Sequence, residues 1–483
     1  MKINRRSTLR FAGLTIAALA LMTTVGCGGS STSGSNAPKS ANAAVSADGT
    51  RAVVKESAVA TFEQGIKQSK NDPNGAIATF KKAANEQDNF AEAYYNIGLL
   101  QQRQGNNSDA RSAYEKASQM RPDMPEPYVN ISKMLLEEGK LDDAEKILLK
   151  VVDDKTGIDP YNAEANLNMG MIYRLRGEAI LEKERGGSEP KFNMEGNENK
   201  GEIKNKEAYD MFAKSVFHVR RALASDSNNI YCYENLSAVY YLMNSLEVAR
   251  LVCEQAMLKY SEYNEELQKQ LDAGRITPEE FDRKAYTPKD LSAIYNTSGL
   301  IYLAEGEVSM GNSEFKKAVE ADPNNVSAML NVAGIAVNVQ DYPLAYDLYN
   351  KVLELQPNNV EVYLSKGVAA RGLDKLDEAE KIYKDIMNKH PEYPQAWFNY
   401  IVLVQEYYNK IDEARQMWTE FAAAKEPNEI IPGRVAEAKE RVKQIDEYKE
   451  AQRKAEADAA EMQRKMEELE KLQKQLEEQE QNQ

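Results

Sequence analysis

Histidine, tryptophan and cysteine are scarce in this chain of 483 residues, which has two, two and three of them respectively. The histidines, His218 and His390, lie far apart, and no His-Glu-x-x-His or Cys-x-x-Cys spacing occurs that would suit a metal. A glycine-rich phosphate loop followed by Lys-Ser or Lys-Thr is also missing. The sequence therefore predicts no catalytic site, no metal site and no cofactor, so the chain is not expected to be an enzyme.

Long apolar runs are rare as well. The apolar run at 11–22 is too short to span a membrane comfortably, and four basic residues precede it: Lys2, Arg5, Arg6 and Arg10. This pattern predicts an export signal that is not part of the fold.

Positive charge is in short supply. The formal net charge is −15, and loss of the four cations of the export signal gives −15 − 4 = −19. Such an excess of negative charge disfavours nucleic acid and anionic lipid as electrostatic partners.

A four-residue string, Thr-Val-Gly-Cys, ends at Cys27 and resembles the lipobox of bacterial lipoproteins, with Thr24 where leucine is usual. The resemblance implies a signal peptide at 1–26 and acylation of Cys27, with palmitate among the attached chains. Gly28 stands where many inner-membrane lipoproteins carry Asp, which implies the periplasmic, inner leaflet of the outer membrane. An ordinary signal peptide with a chance cysteine is the alternative, and Sec and Tat export both stay open. Residues 27–50 are predicted to form a flexible tether.

An interval of 34 residues recurs through the chain. It separates Pro323, Pro357 and Pro391, and it also separates the large residues Tyr295, Met329, Tyr363 and Trp397. In a helix-forming sequence this interval resembles the tetratricopeptide repeat (TPR), a helix–turn–helix unit. The resemblance implies an all-α fold, a right-handed superhelical solenoid of stacked helical hairpins.

The predicted TPR array covers residues 51–427, with eight units, an N-terminal cap, and insertions near 177–207 and 262–290. In the second insertion, Thr277-Pro278-Glu279-Glu280 predicts a helix start. Four glycines are expected where the first helix of a unit lies too close to the second for a side chain: Gly98, Gly170, Gly299 and Gly367. A long charged helix is predicted at 433–483.

In this family the first helix of each unit lines a concave groove. Six amides recur two residues after the leading large residue: Asn96, Asn130, Asn168, Asn235, Asn331 and Asn399. They resemble the asparagine ladder that binds peptide backbones in O-linked N-acetylglucosamine transferases. Neighbouring apolar side chains would supply specificity: Tyr95, Leu99, Tyr241, Leu330, Leu364 and Phe398. The hypothesis is an extended peptide in the groove; amides inherited without use are the alternative.

Two further features leave alternatives open. Cys232 and Cys253 fall on the two helices of one unit, where they would form a disulfide or serve as small packing residues. In the C-terminal helix, every seventh residue from Tyr448 is apolar, giving a marginal coiled-coil seam: Tyr448, Ala455, Met462, Leu469 and Leu476. Self-association and a solitary solvated helix are both compatible with it.

The function expected from these features is a lipid-anchored periplasmic TPR scaffold that recruits a protein partner in an envelope complex. The anchor and repeats together resemble TPR lipoproteins of pilus or gliding-motility complexes, and secretion is a related setting. A chaperone-like binder of unfolded outer-membrane or secreted proteins is one alternative. A structural spacer with a dimerising C-terminal helix is the other.

Overall fold

The computed structural model describes residues 44–45, 51–52, 55–184, 205–423 and 434–481. The predicted signal peptide, Cys27, most of the tether and residues 185–204 of the first insertion lie outside these ranges. Within them, two short strands, Ala44–Val45 and Arg51–Ala52, pair antiparallel, and the remaining regular structure is helical. The predicted all-α TPR fold is confirmed.

Two compact units divide the chain between Val332 and Ala333. In the N-terminal unit, consecutive helices pair as hairpins, and one extra short helix, α11, follows α10. The bounds are α1 (Glu56–Gln68), α2 (Pro73–Glu86), α3 (Ala91–Arg103), α4 (Asn107–Met120), α5 (Pro125–Glu137), α6 (Leu141–Val152), α7 (Ala163–Glu184), α8 (Lys206–Ser225), α9 (Ile230–Leu242), α10 (Leu246–Asp272), α11 (Pro278–Lys284), α12 (Ser292–Ala304) and α13 (Val308–Ala321). The division falls within α14 (Val326–Asn338).

Each hairpin reverses through a residue with a left-handed backbone. Gly105 and Gly139, which lie 34 residues apart, have φ values of 77° and 71°. Beyond Gly105, the N–H of Asn106 donates to the carbonyl of Gln101 at 2.9 Å, which closes the end of α3. A residue without Cβ adopts this backbone at little cost, so the repeat places the turn.

Close contact between the two helices of a hairpin explains the conserved spacing of small residues within the repeat. A Cβ added at Gly98 would lie 2.5 Å from Cε1 of Tyr114, and one at Gly170 would lie 2.3 Å from Cγ2 of Val219. The same holds for Gly299 against Phe315 (2.5 Å) and Gly367 against Tyr383 (2.7 Å). The expectation that these four glycines permit helix contact is confirmed.

The second insertion is an ordered extension of α10. At the start of α11, the N–H of Glu280 donates to Oγ1 of Thr277 at 3.2 Å, and Oε2 of Glu280 accepts from the N–H of Thr277 at 3.0 Å. This reciprocal capping box confirms the predicted helix start. The segment then returns to α10, where the Asn264 side chain bonds both the N–H and the carbonyl of Tyr286, at 2.9 and 2.8 Å.

The C-terminal unit continues the pattern of paired helices and ends in a long one. Its helices are α15 (Tyr342–Leu355), α16 (Val360–Gly372), α17 (Leu376–Lys389), α18 (Pro394–Val402), a π-helical turn (Leu403–Tyr407), α19 (Ile411–Ala423) and α20 (Arg434–Gln481). Among the residues described, no helix of either unit has the length and apolarity required to cross a membrane.

Only the first four turns of α20 pack on the unit. Ala438 and Ile445 are buried in a cluster with Trp418 and Phe421 of α19. Arg441 lies over the Trp418 ring, 5.3 Å from its centroid, and donates to Glu406 at 2.9 Å. From residue 450 to residue 474, every side chain is exposed.

Candidate peptide-binding face

The first helices of neighbouring hairpins lie side by side. In the N-terminal unit, Nδ2 of Asn130 on α5 donates to the Tyr95 hydroxyl on α3 at 3.3 Å. Nδ2 of Asn168 on α7 donates to Oγ of Ser132 on α5 at 3.2 Å. We call the surface formed by these first helices the A-helix face; it comprises α3, α5, α7, α9 and α12 in the N-terminal unit, and α16 and α18 in the C-terminal unit.

Three of the six predicted amides are used inside the N-terminal unit. Asn168, Asn235 and Asn331 are 3%, 2% and 3% exposed. Oδ1 of Asn235 accepts from Oγ of Ser215 at 3.0 Å, and Nδ2 of Asn331 donates to Oδ1 of Asn296 at 2.9 Å. Together with the Asn168 bond, these contacts join neighbouring helices, which is a structural role that the ladder pattern did not predict.

Asn399 has a comparable position in the C-terminal unit. Its Nδ2 donates to the carbonyl of Gln395 at 2.9 Å, and its Oδ1 accepts from Nη1 of Arg371 at 3.4 Å. Arg371 is only 2% exposed and also lies over the Tyr407 ring, 5.8 Å from its centroid. The amide thus helps to accommodate a buried cation between α16 and α18.

Asn96 and Asn130 are the two ladder amides that stay half-buried. Nδ2 of Asn96 donates to the carbonyl of Glu92 in its own helix at 2.8 Å, so the side chain lies along α3. Because part of each amide faces solvent, these two have the exposure that contact with a peptide requires.

The predicted apolar residues fall into two groups. Tyr95, Leu330, Leu364 and Phe398 are buried, between 3% and 8% exposed. Tyr95 packs on Tyr114 with ring centroids 5.7 Å apart, and Phe398 packs on Trp418 at 4.9 Å, so both stabilise their own hairpins.

Leu99 and Tyr241 form the second group, and both are half-buried. Leu99 lies one turn after Asn96 on α3, so an amide and an apolar side chain share one face of that helix. This pairing is the part of the predicted groove that remains open to a ligand.

Carboxylates line one edge of the A-helix face in the N-terminal unit. Burial raises the pKa of Glu126, and the carboxylates of Glu164 and Glu92 raise it further, while Arg121 lowers it. Arg121 pairs with Glu92, and Nζ of Lys133 lies 3.2 Å from Oε2 of Glu164. The edge is therefore acidic but largely compensated by cations of the chain itself.

The second insertion reaches the same face. Asp290 accepts a hydrogen bond from the Tyr231 hydroxyl at 2.5 Å, and the Tyr286 ring contacts that of Tyr231 edge-on. Burial raises the pKa of Tyr231, and the bond to Asp290 raises it further. The insertion thus covers the start of α9, a contact that its length and composition did not reveal.

Two buried arginines occupy equivalent positions in the two units. Arg174 and Arg371 are each the twelfth residue of their helices, α7 and α16, and they are 7% and 2% exposed. Arg174 is 3.9 Å from Glu178. Sequence reasoning treated both arginines as scattered; counting from the helix start would have paired them.

The two remaining cysteines are buried free thiols. Sγ of Cys253 lies 3.9 Å from the Ile294 carbonyl, and burial raises the pKa of its thiol to about 12. Burial also raises the pKa of Cys232. These surroundings fit the packing interpretation. In the described ranges, no group of three or more His, Cys, Asp or Glu side chains is arranged to hold a metal ion.

Family models of the tetratricopeptide repeat match residues 66–125 and 101–167. These residues coincide with the stacked hairpins that begin at α2. The chain carries tetratricopeptide repeats. TPR arrays are interaction scaffolds whose extended surfaces bind proteins or peptides, and protein–protein interaction is therefore the function class of this chain.

Similar solved structures are TPR proteins of low sequence identity. Pseudomonas aeruginosa PilF is 18% identical over 55% of this chain and 92% of its own, with a TM-score of 0.37. PilW, a type IV pilus biogenesis factor, is 14% identical over 56% of this chain and 95% of its own (TM-score 0.37). YrrB, a TPR protein with an unusual peptide-binding site, is 19% identical over 46% and 97% (TM-score 0.34). No curated protein matches the chain. At these values the neighbours say nothing about what this chain binds.

Proposed function

We propose that this protein is a lipid-anchored periplasmic scaffold that binds an extended peptide segment of a partner on the A-helix face of its N-terminal unit. The observation that carries the proposal is the half-buried amide of Asn96 beside the half-buried Leu99, with the half-buried Asn130 on the next first helix. An amide matches the N–H and C=O groups of an extended backbone, and an adjacent apolar side chain receives every second side chain of the peptide.

The test is peptide capture by Asn96→Ala and Asn130→Ala, with Asn107→Ala as the control. Asn107 is exposed at the start of α4, outside the A-helix face. Each loss of a backbone hydrogen bond weakens binding by about 1 kcal/mol, or roughly fivefold. We expect weaker capture for Asn96→Ala and Asn130→Ala and unchanged capture for the control. Equal capture by all three variants would reject this use of the amides.

Breadth of capture separates the scaffold from a chaperone. A scaffold retains a few related peptides on an array, whereas a chaperone-like binder retains many apolar peptides without a common pattern. A protein that captures none would leave the structural spacer as the function.

The anchor and the location rest on the lipobox resemblance at Cys27 and on Gly28. We propose acylation of Cys27 and residence on the inner leaflet of the outer membrane, where the tether would hold the repeats in the periplasm of a secretion, pilus or gliding-motility complex. Metabolic labelling with palmitate tests this: the label should be present on the wild-type chain and lost in Cys27→Ser. Labelling that persists in Cys27→Ser would contradict the assignment.

A further inference from the structure

Two separate apolar stripes run along α20, and the chain uses one of them. Ala438 and Ile445 face α19 and are buried. Continued along the same line, this stripe becomes polar, with Gln452, Glu456 and Gln463. The contact with α19 therefore ends where its stripe ends.

The second stripe begins near Tyr448 and has no contact on the C-terminal unit. Met462, Met466 and Leu469 are 68%, 65% and 60% exposed. At 100° per residue, Met462 lies about a quarter turn around the helix from Ile445. The second stripe is thus not a continuation of the packing on α19.

The spacing of the second stripe matches an identical helix. Its side chains alternate at four and three residues through Ala455, Ala459, Met462, Met466 and Leu469, which is the a and d spacing of a coiled coil. The exposed segment from residue 450 to 474 is about 37 Å long at 1.5 Å per residue. That length allows more than three heptads to meet.

Charges beside the stripe favour two parallel copies in register. Met462 and Leu469 take d positions, which places Lys465 at g and Glu470 at the following e position. In a parallel pair, Lys465 of one copy lies opposite Glu470 of the other. Lys465 contacts Glu461 of its own helix at 2.6 Å, but both side chains are more than 60% exposed, so this pair costs little to exchange.

We propose that the exposed part of α20 is a self-association surface, on which a second copy of this chain docks in parallel through Met462, Met466 and Leu469. This surface is independent of the peptide-binding face, and either proposal stands if the other fails.

The test is the mass of the full chain in solution, measured by sedimentation across a series of concentrations. We expect twice the chain mass for the wild type and a single chain mass for Met462→Lys with Leu469→Lys. The matched control is Ala457→Lys with Ala460→Lys, which adds the same charges to exposed positions of α20 outside the stripe. The control should keep the doubled mass.

Orientation is tested by exchanging charges. Lys465→Glu alone should raise the dissociation constant severalfold, and Lys465→Glu with Glu470→Lys should restore it. All these positions are exposed, so far-ultraviolet dichroism should be unchanged throughout. A wild type that remains a single chain at every concentration would overturn the proposal, as would a dimer unaffected by Met462→Lys with Leu469→Lys. Failure of the charge exchange to restore association would overturn the parallel arrangement.

Discussion

Two tyrosines at the same point of their repeats differ in the fate of the hydroxyl. Tyr114 and Tyr383 are both 0% exposed and pack against the glycine of the preceding helix. The Tyr114 hydroxyl donates to Oε1 of Gln102 at 2.8 Å. The Tyr383 hydroxyl is buried and has no hydrogen-bond partner among the described residues.

Removal of the hydroxyl should therefore have opposite effects at the two sites. Tyr383→Phe removes an unsatisfied buried group and should raise the free energy of unfolding by about 1 kcal/mol. Tyr114→Phe leaves Gln102 unpaired and should lower it by about 1 kcal/mol. Urea denaturation followed by dichroism measures both. A loss of stability in Tyr383→Phe would show that its hydroxyl has a partner.

His218 gives the N-terminal unit a dependence on acid. Its ring stacks on Tyr173 with centroids 5.6 Å apart, and Nδ1 lies 3.0 Å from Oδ1 of Asn166. Burial lowers the pKa of His218 to about 4, and Arg221 also lowers it, whereas Asp154 and Glu145 act in the opposite direction.

Stability should fall as the pH drops from the ordinary histidine value toward 4. In that window the unfolded chain takes up a proton at residue 218 that the folded chain does not, so unfolding is favoured. Because the ring is only half-buried, we expect a loss of about 1–2 kcal/mol. His218→Gln should remove this part of the dependence in urea titrations at several pH values. An unchanged pH profile in His218→Gln would contradict the lowered pKa.

At the scale of elements, α20 has two functions along its length. The first turns complete the core around Trp418, and the remainder projects from it. Both tryptophans of the chain, Trp397 and Trp418, lie in the C-terminal unit, so tryptophan fluorescence reports on that unit alone.

Large-to-small substitutions should separate the two parts of α20. Ile445→Ala opens a cavity beside Trp418 and should lower the free energy of unfolding by about 2–4 kcal/mol. Leu472→Ala, where the side chain is 58% exposed, should change it by less than about 0.5 kcal/mol. Fluorescence-monitored denaturation distinguishes the two. Similar losses for both variants would mean that the distal part of the helix also packs on the unit.

The repeat interval predicted the helices well because packing imposes it. A glycine opposite Tyr114 and a left-handed residue at Gly105 are demands of every hairpin, so they recur and can be counted. The contact between Asp290 and Tyr231 occurs once, inside an insertion, and has no repeated signal.

The ladder was harder to interpret for a related reason. An amide suits a peptide and a neighbouring helix equally well. The sequence therefore could not tell Asn331, which bonds Asn296 in the interior, from Asn96, which stays half-buried. Only the distances between helices decide which amides remain for a ligand.

At the scale of the molecule, the chain is a set of stacked hairpins in two compact units. Its formal charge of −15 and its repeats favour recognition of proteins rather than nucleic acid. What such a scaffold does depends on which of its surfaces meets a partner. The account assigns that meeting to the A-helix face of the N-terminal unit.

Photocrosslinking in intact cells tests this assignment most directly. A photoreactive residue replaces Leu99, half-buried on α3, or Leu251, 56% exposed on the second helix of another hairpin, α10. The account predicts a discrete crosslinked species from position 99 and none from position 251. Capture from position 251 with none from position 99 would contradict it.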